Sequence, residues 1–236
     1  MRVHSFESMA ALDGEGIRFA VFFTGCPLRC VYCHNPDTWY AGGTEYTAEQ
    51  LYKKIRRYRP YFKNNGGVTF SGGEPLLNAA GINEIYSYLK QDGISYAIDT
   101  SGSVALTGDV KDAVDNASMI ICDLKFWDDQ HYLKYTGKSM ENTRKFLDYV
   151  QNSDTRLWVR TVIVPGINDS EEILDRYIDV VKAIKNVEKY ELLGFHTMGF
   201  FKYDELGINN PLKDTPSLEP DRLKKLQDYV NQKLNM

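Results

Sequence analysis

Short, unbroken apolar runs alternate along the chain with segments whose apolar residues recur every three or four positions. The runs are Ile17–Thr24, Val68–Ser71, Tyr96–Asp99, Met119–Leu124, Leu157–Val164 and Tyr190–Phe195. They are short and mostly β-branched or aromatic, as strands covered on both faces are. Between them the helical period takes over. Thr47 and Gln50 form a capping box ahead of Leu51, Ile55 and Tyr58. Ile82–Gln91 carries Ile85, Tyr86 and Leu89 before Gly93, and Met140–Gln151 uses Phe146, Leu147 and Val150. Ser170 caps Glu171–Ile184, where Leu174, Tyr177, Ile178, Val181 and Ile184 share one face. A last helix, Pro220–Leu234, repeats Leu223, Leu226, Val230 and Leu234.

Six strand–helix units in succession predict an α/β fold with a parallel sheet, helices outside and right-handed crossovers. Either an incomplete (β/α)6 barrel or an open doubly wound sheet accommodates them. Both collect chemistry at the carboxyl ends of the strands. The unusual residues fall there: Cys26 after the first run, Gly72–Glu74 after the second, Asp99 after the third, Asp123 and Lys125 after the fourth, His196 after the sixth. No repeat, low-complexity stretch or long linker divides the chain, so residues 1–236 are expected to form one domain.

Composition narrows the classes. Hydrophobic residues make up 43% of 236 and aromatics 13%, enough to bury a large core and to exclude disorder. The charge of −4 gives no support for nucleic-acid binding, and Arg56, Arg57 and Arg59 read as a solvated helix face. Uncharged apolar stretches such as Phe19–Thr24 and Met119–Cys122 fall short of the roughly 18 residues of a membrane helix. Glu7 lies where a signal peptide would need its apolar run. A soluble, cytoplasmic protein is the expectation.

The cysteines change the picture most. There are 4, and Cys26, Cys30 and Cys33 crowd into one loop while Cys122 stands alone in a strand. Pairing within the trio leaves one thiol over, which points to metal or catalysis in a reducing compartment. Three close thiolates can hold three corners of a cubane cluster and leave the fourth iron open to substrate. Zinc held by the trio with His34 or Cys122 is one alternative; an electron carrier with Cys122 as fourth ligand is another.

The CxxxCxxC spacing on the loop after a first strand resembles the signature of radical S-adenosylmethionine (SAM) enzymes. The segment 71–75, Ser-Gly-Gly-Glu-Pro, strengthens the resemblance. Segments 2–8, 13–18, 33–39, 121–125, 162–166 and 192–196 further resemble the activases of glycyl-radical enzymes across nearly the whole chain. Many such activases insert a ferredoxin-like, cysteine-bearing stretch after the cluster loop; residues 34–46 hold no cysteine.

The resemblance implies an incomplete barrel in which Cys26, Cys30 and Cys33 hold a [4Fe-4S] cluster whose open iron chelates the methionine end of SAM. It places Gly72, Gly73 and Glu74 against the methionine ammonium, glycine letting backbone approach and the carboxylate facing the charge. Tyr32 is expected beside the adenine. Cys33, His34, Asp123, Leu124, Lys125, Arg160 and His196 are expected to complete the cofactor site, with Asp99, Thr100 and Asp123 sharing a monovalent cation. Asp13 is expected to meet the substrate peptide. The implied reaction is reductive cleavage of SAM and abstraction of a hydrogen atom from a glycine Cα under anaerobic conditions, with no side-chain general base. The implied partners are pyruvate formate-lyase, offering its glycyl loop to a monomeric activase, and a low-potential electron donor such as flavodoxin or ferredoxin. An activase for another glycyl-radical enzyme and a non-enzymatic zinc or electron-transfer protein are the competing readings.

Overall fold

The computed structural model describes all 236 residues. Its eight strands are β1 (Arg2–Ala10), β2 (Arg18–Phe23), β3 (Thr44–Glu45), β4 (Gly67–Gly72), β5 (Tyr96–Thr100), β6 (Met119–Asp123), β7 (Arg156–Ile163) and β8 (Val187–Gly194). Its helices are α1 (Ala48–Arg56), α2 (Arg59–Phe62), α3 (Ala79–Leu89), α4 (Gly108–Asp115), α5 (Asp129–Thr136), α6 (Glu141–Val150), α7 (Glu171–Lys182), α8 (Phe200–Glu205) and α9 (Pro220–Leu234).

One sheet runs in the order β3-β1-β2-β4-β5-β6-β7-β8. From β2 onward every pairing is parallel; β1 pairs with β2, and β3 with β1, antiparallel. The six expected strands are therefore all present, and the sheet stays open. The N-terminal β1 was not anticipated, because its burial alternates irregularly and most of it faces solvent.

Alternation divides the two sheet faces. Val21, Phe23, Val68, Phe70, Ile98, Ile120, Cys122, Leu157, Val159 and Leu192 point outward and pack with the helices in the main core. The inward positions are mixed. Ala97, Met119 and Ile121, with Trp158 against them, form a small separate apolar plug. Beyond the plug polar inward residues appear: Ser71, Asp99, Asp123, Arg160 and Glu191 line a cavity at the carboxyl ends of the strands, together with Phe22, Val162 and Leu193. The expectation of strands apolar on both faces holds for the outer face and for only part of the inner one. No helix is long and apolar enough to cross a membrane.

Candidate active site

Backbone hydrogen bonds lace three loops together where the chain leaves β2 and β4. Gly73 N–H donates to the Phe23 carbonyl at 2.9 Å, Glu74 N–H to Gly25 at 2.8 Å, and Gly25 N–H to Thr38 at 2.7 Å. The cysteine loop is also pinned to α5, with Arg29 N–H on the Thr136 carbonyl at 2.8 Å and Val31 N–H on Tyr135 at 2.9 Å. These contacts turn Cys26, Cys30 and Cys33 onto the wall of a cavity of about 440 Å³. That volume lies in the roughly 300–1,000 Å³ range of small-molecule sites.

The thiols are poor ligands until a cation arrives. Burial pushes Cys26 up to about 11 and Cys30 up to about 12, and it raises Cys33 as well. A bound metal centre must therefore draw the protons off. Hydrogen bonding from the Leu28 backbone at Cys26, and from the Asn35 backbone and Trp39 side chain at Cys33, pulls the other way. The thiols, the Lys125 ammonium beside them and the adjoining cavity fit a cluster with one open iron. No three His, Cys, Asp or Glu side chains close around a single-ion position. A cubane makes no such demand, since each thiolate takes a separate iron. Cys122 is fully buried in the outward-facing core, away from the cavity.

A charged row crosses the inner face, because the strand register sets Asp123 opposite Arg160 and Arg160 opposite Glu191. Arg160 Nε donates to Glu191 at 3.0 Å, and its Nη2 donates to the Leu12 carbonyl. Lys125 Nζ donates to Asp123 at 2.6 Å, and Ser71 Oγ to Asp99 at 2.8 Å. Burial, followed by the facing Asp123 charge, pushes Asp99 up to about 7. A carboxyl in that setting suits proton sharing or a nearby cation.

The segment between β1 and β2 reaches this inner face as a strap. Leu12 is held by Arg160, the Asp13 carbonyl accepts from Thr69 Oγ1 at 2.6 Å, and Glu15 meets Arg156 at 2.7 Å. Arg18, almost wholly buried, donates to Thr69 Oγ1 at 3.0 Å and to the Val68 carbonyl at 2.5 Å. Leu12 and Asp13 consequently share the cavity with the cysteines.

Of the residues singled out from sequence, Asp13, Cys26, Cys30, Tyr32, Cys33, His34, Gly72, Gly73, Asp99, Thr100, Asp123, Lys125 and Arg160 line this one cavity. Three do not. Glu74 is fully buried, with Oε1 accepting from Thr100 Oγ1 at 2.5 Å and Leu76 N–H at 3.1 Å. Its Oε2 accepts from the Ser101 N–H at 3.0 Å and hydroxyl at 2.6 Å. Both carboxylate oxygens are thus engaged by the protein's own loops. Leu124 is buried because alternation turns it outward. His196 packs behind His34, with ring centroids 4.1 Å apart, and its Nδ1 is buried without a hydrogen-bond partner.

The glycines also need a different reason. A Cβ on Gly73 would overlap the Gly25 carbonyl, and one on Gly72, at φ +113°, would overlap the Phe23 backbone. Their bareness serves the close approach of chain to chain. Ser101, Trp39 and Glu191 were missed, although Glu191 stood out as an acid in an otherwise apolar run.

An open parallel barrel with a cysteine loop at its carboxyl end defines a class, and residues 20–178 match the Radical SAM superfamily. The chain belongs to that superfamily, and its cofactors are a [4Fe-4S] cluster and SAM. It is 45% identical over 235 residues to the pyruvate formate-lyase-activating enzyme of Clostridium pasteurianum, covering 99% of this chain and 98% of that one. It is 36% identical over 237 residues to the enzyme of the same name from Staphylococcus epidermidis, covering 97% and 94%. Among solved structures, Streptococcus suis SuiB bound to S-adenosylmethionine shares the fold with a TM-score of 0.68 at 16% identity, covering 92% of this chain and 49% of that one. A domain of pyruvate-formate lyase-activating enzyme from Bacteroides vulgatus gives 0.57 at 22% identity, covering 72% and 95%.

Proposed function

We propose that this chain is a monomeric activase that installs a glycyl radical in pyruvate formate-lyase. The observation that carries the reading is the meeting of the cysteine loop, the Gly72–Gly73 turn and the Asp13 strap on one cavity. When bound, the cluster and SAM supply a reductive C–S cleavage whose adenosyl product removes hydrogen from a glycine Cα. Cys26, Cys30 and Cys33 hold the cluster. Gly72, Gly73, Asp123 and Lys125 would hold the methionine end and ribose, and Tyr32 and His34 the adenine, with His196 bracing His34. Asp99, Thr100 and Asp123 would share a monovalent cation. Arg160 neutralises Glu191 and steadies the strap, from which Asp13 meets the glycyl loop. Burial of these groups keeps water away from the reacting atoms.

The test is electron paramagnetic resonance on anaerobically reconstituted protein with SAM, dithionite and purified pyruvate formate-lyase. A glycyl radical in the partner is expected, together with stoichiometric methionine. SAM cleavage with no radical in this partner would assign the chain to another glycyl-radical enzyme. In the same assay Cys26→Ala, Cys30→Ala and Cys33→Ala each abolish the cluster signal. Cys122→Ala retains it and costs about 0.5–3 kcal/mol of stability.

A further inference from the structure

Each turnover consumes one electron that no residue of this chain supplies, and the outer surface of the cysteine loop has the character of a docking site for its source. The chain carries a net charge of −4. Yet the outside of this loop is basic. Arg29 is exposed, directly precedes the buried Cys30, and has no carboxylate partner. Its guanidinium is nonetheless held in place: Nη1 donates to the Cys26 carbonyl at 2.8 Å and to Leu28 at 2.7 Å. It also lies 5.1 Å from the Trp39 ring centroid and 4.9 Å from that of Tyr40.

The loop is pinned to the end of α5, which brings Lys134 and Lys138 alongside. Both are exposed and neither forms an ion pair. The acids nearest in the chain are already matched: Asp128 by His131, Asp129 by Arg144 and Glu141 by Lys145. A helix dipole accounts for Lys134 in the last turn but not for Lys138 beyond Gly137, nor for Arg29. Two apolar side chains stand out on the same two segments: Tyr40, beside Arg29, at 55% and Leu133, one residue before Lys134, at 57% exposure. Exposed apolar groups neighbouring unpaired charge of one sign are the anatomy of an electrostatically steered, short-lived interface.

We propose that Arg29, Lys134 and Lys138, with Tyr40 and Leu133, form the docking surface for a small acidic one-electron carrier protein, which is oxidised by one electron as the cluster beneath the loop is reduced by one. The cavity side of the loop is taken by SAM and the substrate peptide, so the outer side is the short route left to the cluster. The assignment rests on the activase reading above, and its test is separable from it.

The experiment uses the reconstituted holoenzyme and flavodoxin as the carrier, comparing wild type, Lys134→Glu/Lys138→Glu and Arg29→Gln. Stopped-flow reduction of the cluster by flavodoxin hydroquinone is expected to slow at least tenfold at low salt in the double variant and to lose most of its ionic-strength dependence. The Kd for oxidised flavodoxin, measured by titration calorimetry, should weaken about tenfold. Arg29→Gln should move both quantities the same way by a smaller factor. Reduction by dithionite, which needs no docking, should stay within twofold. Unchanged flavodoxin rates and Kd in both variants overturn the proposal, as does an equal slowing with dithionite. Failure of the activase reading would show separately, as dithionite-reduced wild type that leaves SAM intact.

Discussion

Glu74 shows how far a residue's chemistry can be from what its motif suggests. Burial pushes the carboxyl upward, while its hydrogen bonds from Ser101, Thr100 and Leu76 pull the other way. Both oxygens are engaged, so the side chain acts as a bracket joining the ends of β4 and β5. Glu74→Gln turns an amide N–H toward donors, and a mismatched buried group of this kind costs roughly 1–3 kcal/mol. Urea denaturation of the apo-protein should show that loss. Unchanged stability combined with lost SAM affinity would mean that the carboxylate faces the cofactor after all. Sequence could not reveal the bracket, because Thr100 and Ser101 lie some twenty-six residues away along the chain. The cysteines were legible for the opposite reason: the trio is local, and its spacing carries the resemblance that implies its role.

At the scale of elements, the parallel strands were legible because their outward positions are predominantly apolar. Strand β1 was hidden by its exposure at the sheet's edge. Helices α4 and α5 were missed despite clear signals. Thr107 caps one, and Asp128 and Gly137 bound the other, but eight residues give too little period to register. Loop packing was less legible still. The segment 71–75 suggests backbone bared for a ligand, whereas Gly73 is bare because Gly25 and Thr38 press on it. Gly25 leads directly into Cys26, so a Cβ on Gly73 pries the cysteine loop off β4. Overpacking of this kind costs about 1–3 kcal/mol. Gly73→Ala should therefore reduce iron incorporation and SAM affinity together. A fully loaded cluster with only SAM binding lost would return the glycine to the cofactor.

Across the whole molecule, the strap of residues 11–17 joins the β1–β2 side of the open barrel to β7. Arg160, Thr69 and Arg156 hold its backbone or its Glu15, and none of them holds the Asp13 carboxylate. That side chain is left facing the cavity, where the proposed function brings in the partner's glycyl loop. An extended loop of this sort is recognised through backbone groups and a few anchors, and ordering it costs free energy, so the loss of one anchor is felt. Asp13→Asn should keep the cluster, SAM binding and uncoupled SAM cleavage while slowing glycyl-radical formation by about tenfold. A stability control checks that the fold is intact. Burial, opposed by Arg160 and Arg18, raises the Asp13 carboxyl above its ordinary value. Its contribution is therefore fully present below about pH 4 and is lost as pH rises through the folded value. Wild type should lose urea resistance over that interval by more than Asp13→Asn, which has nothing to titrate there. Equal radical yields at equal rates would remove Asp13 from recognition, and they would leave untouched the chemistry that rests on Cys26, Cys30 and Cys33.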